Sequence, residues 1–109
     1  MENRKYSRTV VAGLFVDVSD GDRFFSGIVT DISQFGFCMT DIPKIIRSDA
    51  ENMIVVISGH GSNFTFQVRL IWSKSERYTK TIGVQIINAS QKWINFTMIF
   101  KPNELFVIN

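Results

Sequence analysis

Cysteine is almost missing from this sequence: Cys38 is the only one among 109 residues. A lone cysteine cannot close an internal disulfide, so the core alone must hold the fold, and a reducing, cytoplasmic setting is expected. Histidine is equally scarce. His60, set between two glycines, has no identifiable partner of the kind a general base or an activated nucleophile needs, and no cluster with metal-ligand spacing surrounds it. Neither an enzyme nor a metal protein is expected, and no cofactor is called for. No apolar run approaches the length that crosses a bilayer, and the polar N-terminus is unlike a signal peptide, so no membrane insertion is expected. Excess charge is missing too: twelve basic against ten acidic residues leave a net charge of +2. Such a balance excludes bulk binding of a nucleic acid polymer.

What the chain does have is apolar and aromatic residues, 45% and 13% of the total. That is enough to fold one domain of this length without disulfides or metal. Residues 1–109 are accordingly expected to form a single domain: an arm over 1–8, a barrel over 9–88 and a helix over 90–101.

From Thr9 the apolar residues alternate. Val10, Ala12, Leu14, Val16 and Val18 fall on one face of a first strand, and Ser19-Asp20-Gly21-Asp22 closes it with a turn. Phe24, Ser26, Ile28, Thr30 and Ile32 share one face of a second strand, which leaves Asp31 and Ser33 on the other. A third strand runs from Gly36 to Thr40 and contains Cys38, a small packed residue. Residues 41–52 read as a loop with room for one helical turn. Met53 to Ser58 is apolar on both faces, as a central strand is, and Gly59-His60-Gly61-Ser62 connects it to the next. Phe64, Phe66, Val68, Leu70 and Trp72 alternate most cleanly, a register that points Trp72 into the core. Residues 74–78 read as a charged loop, and Ile82, Val84 and Ile86 mark a sixth strand. Six short strands joined mainly by turns suggest a small antiparallel barrel. After it, Ser90 can cap a helix carrying Trp93, Phe96 and Phe100. A strand is also compatible with Ile94, Phe96, Met98 and Phe100, but length and the cap favour the helix.

Two stretches carry chemistry. In Thr30-Asp31-Ile32-Ser33-Gln34-Phe35-Gly36-Phe37, Asp31 and Ser33 are two apart and so point the same way on a strand. Gly36 permits a sharp turn or a close approach to the backbone. A carboxylate offers two acceptor oxygens, which suits the N1–H and N2–H2 donors of guanine. Alone the pattern is an ordinary turn. The second stretch is Met1-Glu2-Asn3-Arg4-Lys5-Tyr6-Ser7-Arg8, where Arg4 and Arg8 are four apart in a segment without apolar periodicity. It is either a solvated terminus or an arm whose planar guanidinium groups hold something flat and anionic.

Together, Arg4-x-x-x-Arg8, Asp31-x-Ser33-x-x-Gly36, Val68-Arg69-Leu70-Ile71-Trp72 and Ile82-Gly83-Val84-Gln85-Ile86 resemble the PilZ domain family, bacterial receptors for cyclic di-GMP, over nearly the whole chain. The resemblance implies an all-β fold, a six-stranded antiparallel, split β-barrel with a C-terminal α-helix, and no catalysis. It implies that Arg4 and Arg8 hold phosphates and guanines, that Asp31 and Ser33 take polar edges of the ligand, and that Gly36 lets it come close. It also implies an effector protein as partner, in motility, biofilm or polysaccharide machinery. The alternative is a PilZ-like protein-interaction adaptor that does not bind cyclic di-GMP. A third reading, a small barrel binding single-stranded nucleic acid, would need exposed aromatics beside a basic groove, whereas the alternation turns most of them inward. One departure stands out: many members carry an arginine just before the arm motif, where this chain has Asn3, so one ligand per chain is expected rather than a stacked pair.

Overall fold

The computed structural model describes residues 8–47 and 53–100. The strands are β1 (Thr9–Val10), β2 (Phe15–Ser19), β3 (Phe24–Ser33), β4 (Gly36–Pro43), β5 (Met53–Gly59), β6 (Ser62–Ser75) and β7 (Thr79–Ile87), followed by α1 (Gln91–Phe100). Every strand pairing is antiparallel. The order β3-β2-β5-β6-β7-β4 returns to β3 through the β3–β4 pairing, so six strands close into a barrel and β1 is added alongside β3. Closure leaves the barrel without free sheet edges.

The interior is filled from every strand of the barrel, with Val16, Val29, Phe37, Met39, Val55, Ile57, Val68 and Ile82 among its fully or nearly fully buried members. Helix α1 starts as its sequence dictates: the Ser90 hydroxyl accepts the Trp93 N–H at 3.1 Å, satisfying one of the free donors of the first turn. Trp93 and Phe96 are buried, Ile94 and Phe100 half-buried against the core, and Met98 and Ile99 exposed.

Three expectations are corrected. The alternation from Val10 to Val18 is broken: Gly13 takes a positive φ of 81°, β1 and β2 are separate, and Val10 is 85% exposed while Leu14, Val16 and Val18 are buried. In β3 the register shifts between Val29 and Asp31, so Phe25, Val29 and Ile32 are buried, whereas Phe24 and Ile28 face out. In β6 a second shift between Leu70 and Trp72 makes Ile71 the extra residue, and Trp72 emerges on the outside instead of anchoring the core. A bulge puts two residues of one strand against one of its partner and so exchanges the faces beyond it.

Strand boundaries also extend past the expected ones: β4 continues to Pro43, and β6 runs on to Ser75 through part of the expected charged loop. Asp20 in the β2–β3 turn is buried. Its carboxylate accepts main-chain N–H bonds from Asp22, Arg23 and Arg47 at 3.0, 3.1 and 2.9 Å, tying that turn to the segment after β4. These bonds, led by the one from Arg47, hold its pKa down to about 2. His60 is an exposed loop residue, as expected. With Gly61 it forms a two-residue hairpin turn at positive φ, and its Nε2 lies 2.8 Å from the Ala12 carbonyl. No helix among the described residues is long and apolar enough to cross a membrane.

Candidate ligand-binding face of the barrel

Cross-strand register assembles this face. Residues directly opposite one another point to the same side of a sheet. Asp31 opposes Val10 on one side and Cys38 on the other, Cys38 opposes Gly83, and Gly83 opposes Trp72. This row is on the outside, because the next row, Ile32, Phe37, Val84 and Leu70, points into the core. One rung further, Ser33, Gly36, Gln85 and Arg69 again face out. Four strands, β3, β4, β7 and β6, thus contribute to one surface.

Two of the residues expected from sequence meet here directly. Arg8 Nε stands 3.6 Å from Asp31 Oδ1, with both side chains about three-quarters covered. That separation is an ion pair but too long for a hydrogen bond. Among the described residues Asp31 Oδ1 has no hydrogen-bond partner although the atom is buried. A buried acceptor without a donor is costly and rare, and here only the charge of Arg8 offsets that cost among the described residues.

Ser33 lies beside Asp31 on the same side, and its hydroxyl donates to the Gly36 carbonyl at 3.2 Å, leaving its oxygen free to accept. The Gly36 backbone has no positive φ. A side chain at this position is excluded by the neighbouring strand, since a Cβ would sit 2.5 Å from the Val84 carbonyl oxygen. Glycine is thus needed here first for the close approach of β4 to β7. Arg4 lies outside the described residues.

Cys38 sits between Asp31 and Gly83 and is buried. Burial, with the Asp31 carboxylate adding to it, pushes its thiol pKa up, so it stays a neutral thiol that fills the floor of the face. The Thr30 hydroxyl donates to the Cys38 carbonyl at 3.3 Å and fastens the bulge of β3 to β4.

Trp72 is the residue that sequence reasoning put in the wrong place. Any side chain at 83 would overlap its indole, so the ring lies against the bare backbone of Gly83, and the residue stays 37% exposed. The face therefore combines a guanidinium, a carboxylate with an oxygen that has no hydrogen-bond partner among the described residues, a hydroxyl and an indole. The sequence held a signal for this pairing, a glycine in the strand that follows the tryptophan's, but only the bulge brings the two opposite each other. Arg69 and Gln85, both exposed, extend the surface beyond Gly36. Among the described residues no group of three or more His, Cys, Asp or Glu side chains could hold a metal ion.

The fold has known counterparts. The sequence model of the PilZ domain matches residues 2–94. Comparison with curated proteins gives no match. Among solved structures, the PilZ domain of YcgR from Escherichia coli, with c-di-GMP, superposes with a TM-score of 0.76 at 15% identity, covering 97% of this chain and 95% of that one. The Bacillus subtilis inhibitor of motility, MotI/DgrA, gives a TM-score of 0.76 at 10% identity over all of this chain and 54% of its own. The Borreliella burgdorferi PlzA protein in complex with c-di-GMP gives 0.64 at 9% identity, covering 94% of this chain. This chain spans about half the length of the last two proteins.

Proposed function

The chain belongs to the PilZ domain family, and from that premise we propose that it is a cyclic di-GMP receptor that relays the second-messenger signal to a partner protein. Members of the family are non-enzymatic receptors or adaptors for this ligand. The observation that carries the reading is the pair Arg8–Asp31 on the outside of β3, with a buried carboxylate oxygen that lacks a hydrogen-bond donor among the described residues. Guanine supplies what that oxygen lacks. Its N1–H and N2–H2 donors face a carboxylate edge on, while a neighbouring guanidinium can meet O6 and N7 or a phosphate.

The remaining roles follow from the chemistry of each group. Arg4 and Arg8 neutralise the two phosphodiester charges and stack on or bond the guanines. Asp31 and Ser33 accept from the ligand's donors, and the bare main chain at Gly36 allows it to lie close. Trp72 offers a π-face to a purine. Asn3 lacks the planar cation that a second ligand would need, so one ligand binds per chain. Of the three structural neighbours named above, two contain c-di-GMP and one is an inhibitor of motility, which favours a motility component as the downstream partner.

Isothermal titration with cyclic di-GMP, with GMP and cyclic di-AMP as controls, tests the receptor reading. Saturable binding of the first alone, at one ligand per chain, is the expected result. No binding of any of the three would leave the interaction-adaptor reading in its place.

A further inference from the structure

The main-chain end of the candidate face is held from behind by a residue of the helix. Trp93 is fully buried, and its indole Nε1–H donates to the Ser33 carbonyl at 3.1 Å across sixty residues of sequence. The same ring lies edge-on to Phe37 at 6.3 Å between centroids, so it touches the chain on both sides of the Ser33–Gly36 turn. Phe64 and Phe66 of β6 pack against it at 5.1 Å each, which leaves the ring little room to shift. The turn is also tied to the neighbouring strand, by the Ile86 N–H donating to the Phe35 carbonyl at 2.9 Å.

Ser33 is therefore held on two sides. Its carbonyl accepts from Trp93 in the core, while its side chain stands with Asp31 on the outer face. An indole has a single donor and no acceptor, so a buried tryptophan whose N–H meets a main-chain carbonyl fixes ring and backbone together.

We infer that Trp93 is a positioning residue for the ligand face: through the Ser33 carbonyl it sets the turn that carries Ser33 and Gly36, so that ligand capture and the seating of α1 on the barrel reinforce each other. The inference rests on the cyclic di-GMP reading of that face. Its logic is linkage. If a seated helix favours the turn geometry that binds ligand, bound ligand favours the seated helix by the same factor.

The sequence contains only two tryptophans, so uniformly 15N-labelled protein gives two indole N–H resonances, assigned in the free protein with Trp72→Phe. On titration with cyclic di-GMP, the Trp93 indole resonance should shift, and its exchange with solvent should slow, in step with calorimetric saturation. In parallel, Trp93→Phe keeps an aromatic ring but removes the donor, and should weaken binding about five- to tenfold, as the loss of one hydrogen bond implies. Val18→Ala, a core substitution in β2 opposite Phe25 and Val55 that touches neither the helix face nor Ser33, should leave affinity within about twofold at a comparable loss of thermal stability. A Trp93 resonance that neither shifts nor gains protection at saturation overturns the inference, and so does equal weakening in the two variants. Should Trp93→Phe fail to fold, the resonance of the wild-type protein decides alone. Wild-type protein that does not bind cyclic di-GMP overturns the receptor reading together with this inference. Binding with a silent Trp93 overturns this inference only.

Discussion

Trp72 and Gly83 face each other across β6 and β7, and the indole occupies the space that any side chain at 83 would take. Gly83→Ala should push the ring off the face rather than unfold the barrel, because the tryptophan is partly exposed and can swing outward. A destabilisation of about 1–3 kcal/mol is expected for such an overpacked position, read from thermal unfolding, with a red shift of the Trp72 emission. Trp72→Ala should leave stability nearly intact but remove about 1–3 kcal/mol of binding, the usual worth of one base–aromatic stack. Unchanged calorimetric affinity for cyclic di-GMP in Trp72→Ala would remove the indole from the proposed site.

Arg8→Ala and Arg4→Ala should each weaken cyclic di-GMP binding by more than tenfold, since charge-assisted contacts are worth about 1.5–3 kcal/mol. Little stability should be lost with Arg8. Its ion pair with Asp31 is partly open to solvent and lacks hydrogen-bond geometry, and such pairs contribute at most about 1 kcal/mol. Wild-type affinity in both variants would sink the arm's proposed role.

Asp31 should show opposite signs in binding and in stability. Asp31→Ala removes both acceptors and should bind weakly, and Asp31→Asn keeps one and should bind better than Ala. In the free protein, Asp31→Asn should be as stable as wild type or more so, because a neutral amide costs less to bury than a carboxylate whose Oδ1 lacks a hydrogen-bond partner among the described residues. Thermal melts without ligand, beside calorimetry with it, separate the two effects. A large loss of stability in Asp31→Asn would show the carboxylate to be a structural element.

Asp20 makes acid stability testable. Its folded-state pKa of about 2 lies below that of an unfolded aspartate, near 3.9. The stabilisation from its three main-chain bonds is therefore complete above about pH 4 and is lost as the pH falls towards 2. Asp20→Ala should lower stability at pH 7 and flatten the fall in melting temperature between about pH 4 and 2. If that acid limb is as steep in the variant as in wild type, other carboxylates carry it.

Much of the architecture was legible because it depends on local rules. Phe64, Phe66 and Val68 alternate and are buried as the period of two demands. Ser90 caps α1, and the Ser19–Asp22 and Gly59–Ser62 stretches form turns. Asp31 and Ser33 do share a face. The alternation misled wherever a bulge intervened. A strict period of two puts Phe24 and Ile28 on the same face as Ile32, yet they lie outside beyond the shift at Thr30, and Trp72 lies outside beyond Ile71. On the helix, Trp93 and Phe96 are buried and Phe100 half-buried, while Met98 and Ile99 are exposed.

By itself, then, the sequence determined the strands, the helix and its cap, and the carboxylate–hydroxyl spacing of the candidate face, since period, cap and spacing are set by residues within a turn or two of one another. Only the tertiary structure decided which side Trp72 takes, what Gly36 and Gly83 make room for, and that Trp93 holds the back of Ser33. Each of these depends on two strands, or a strand and a helix, distant in the chain and in register, and a bulge exists only relative to the partner it is paired with.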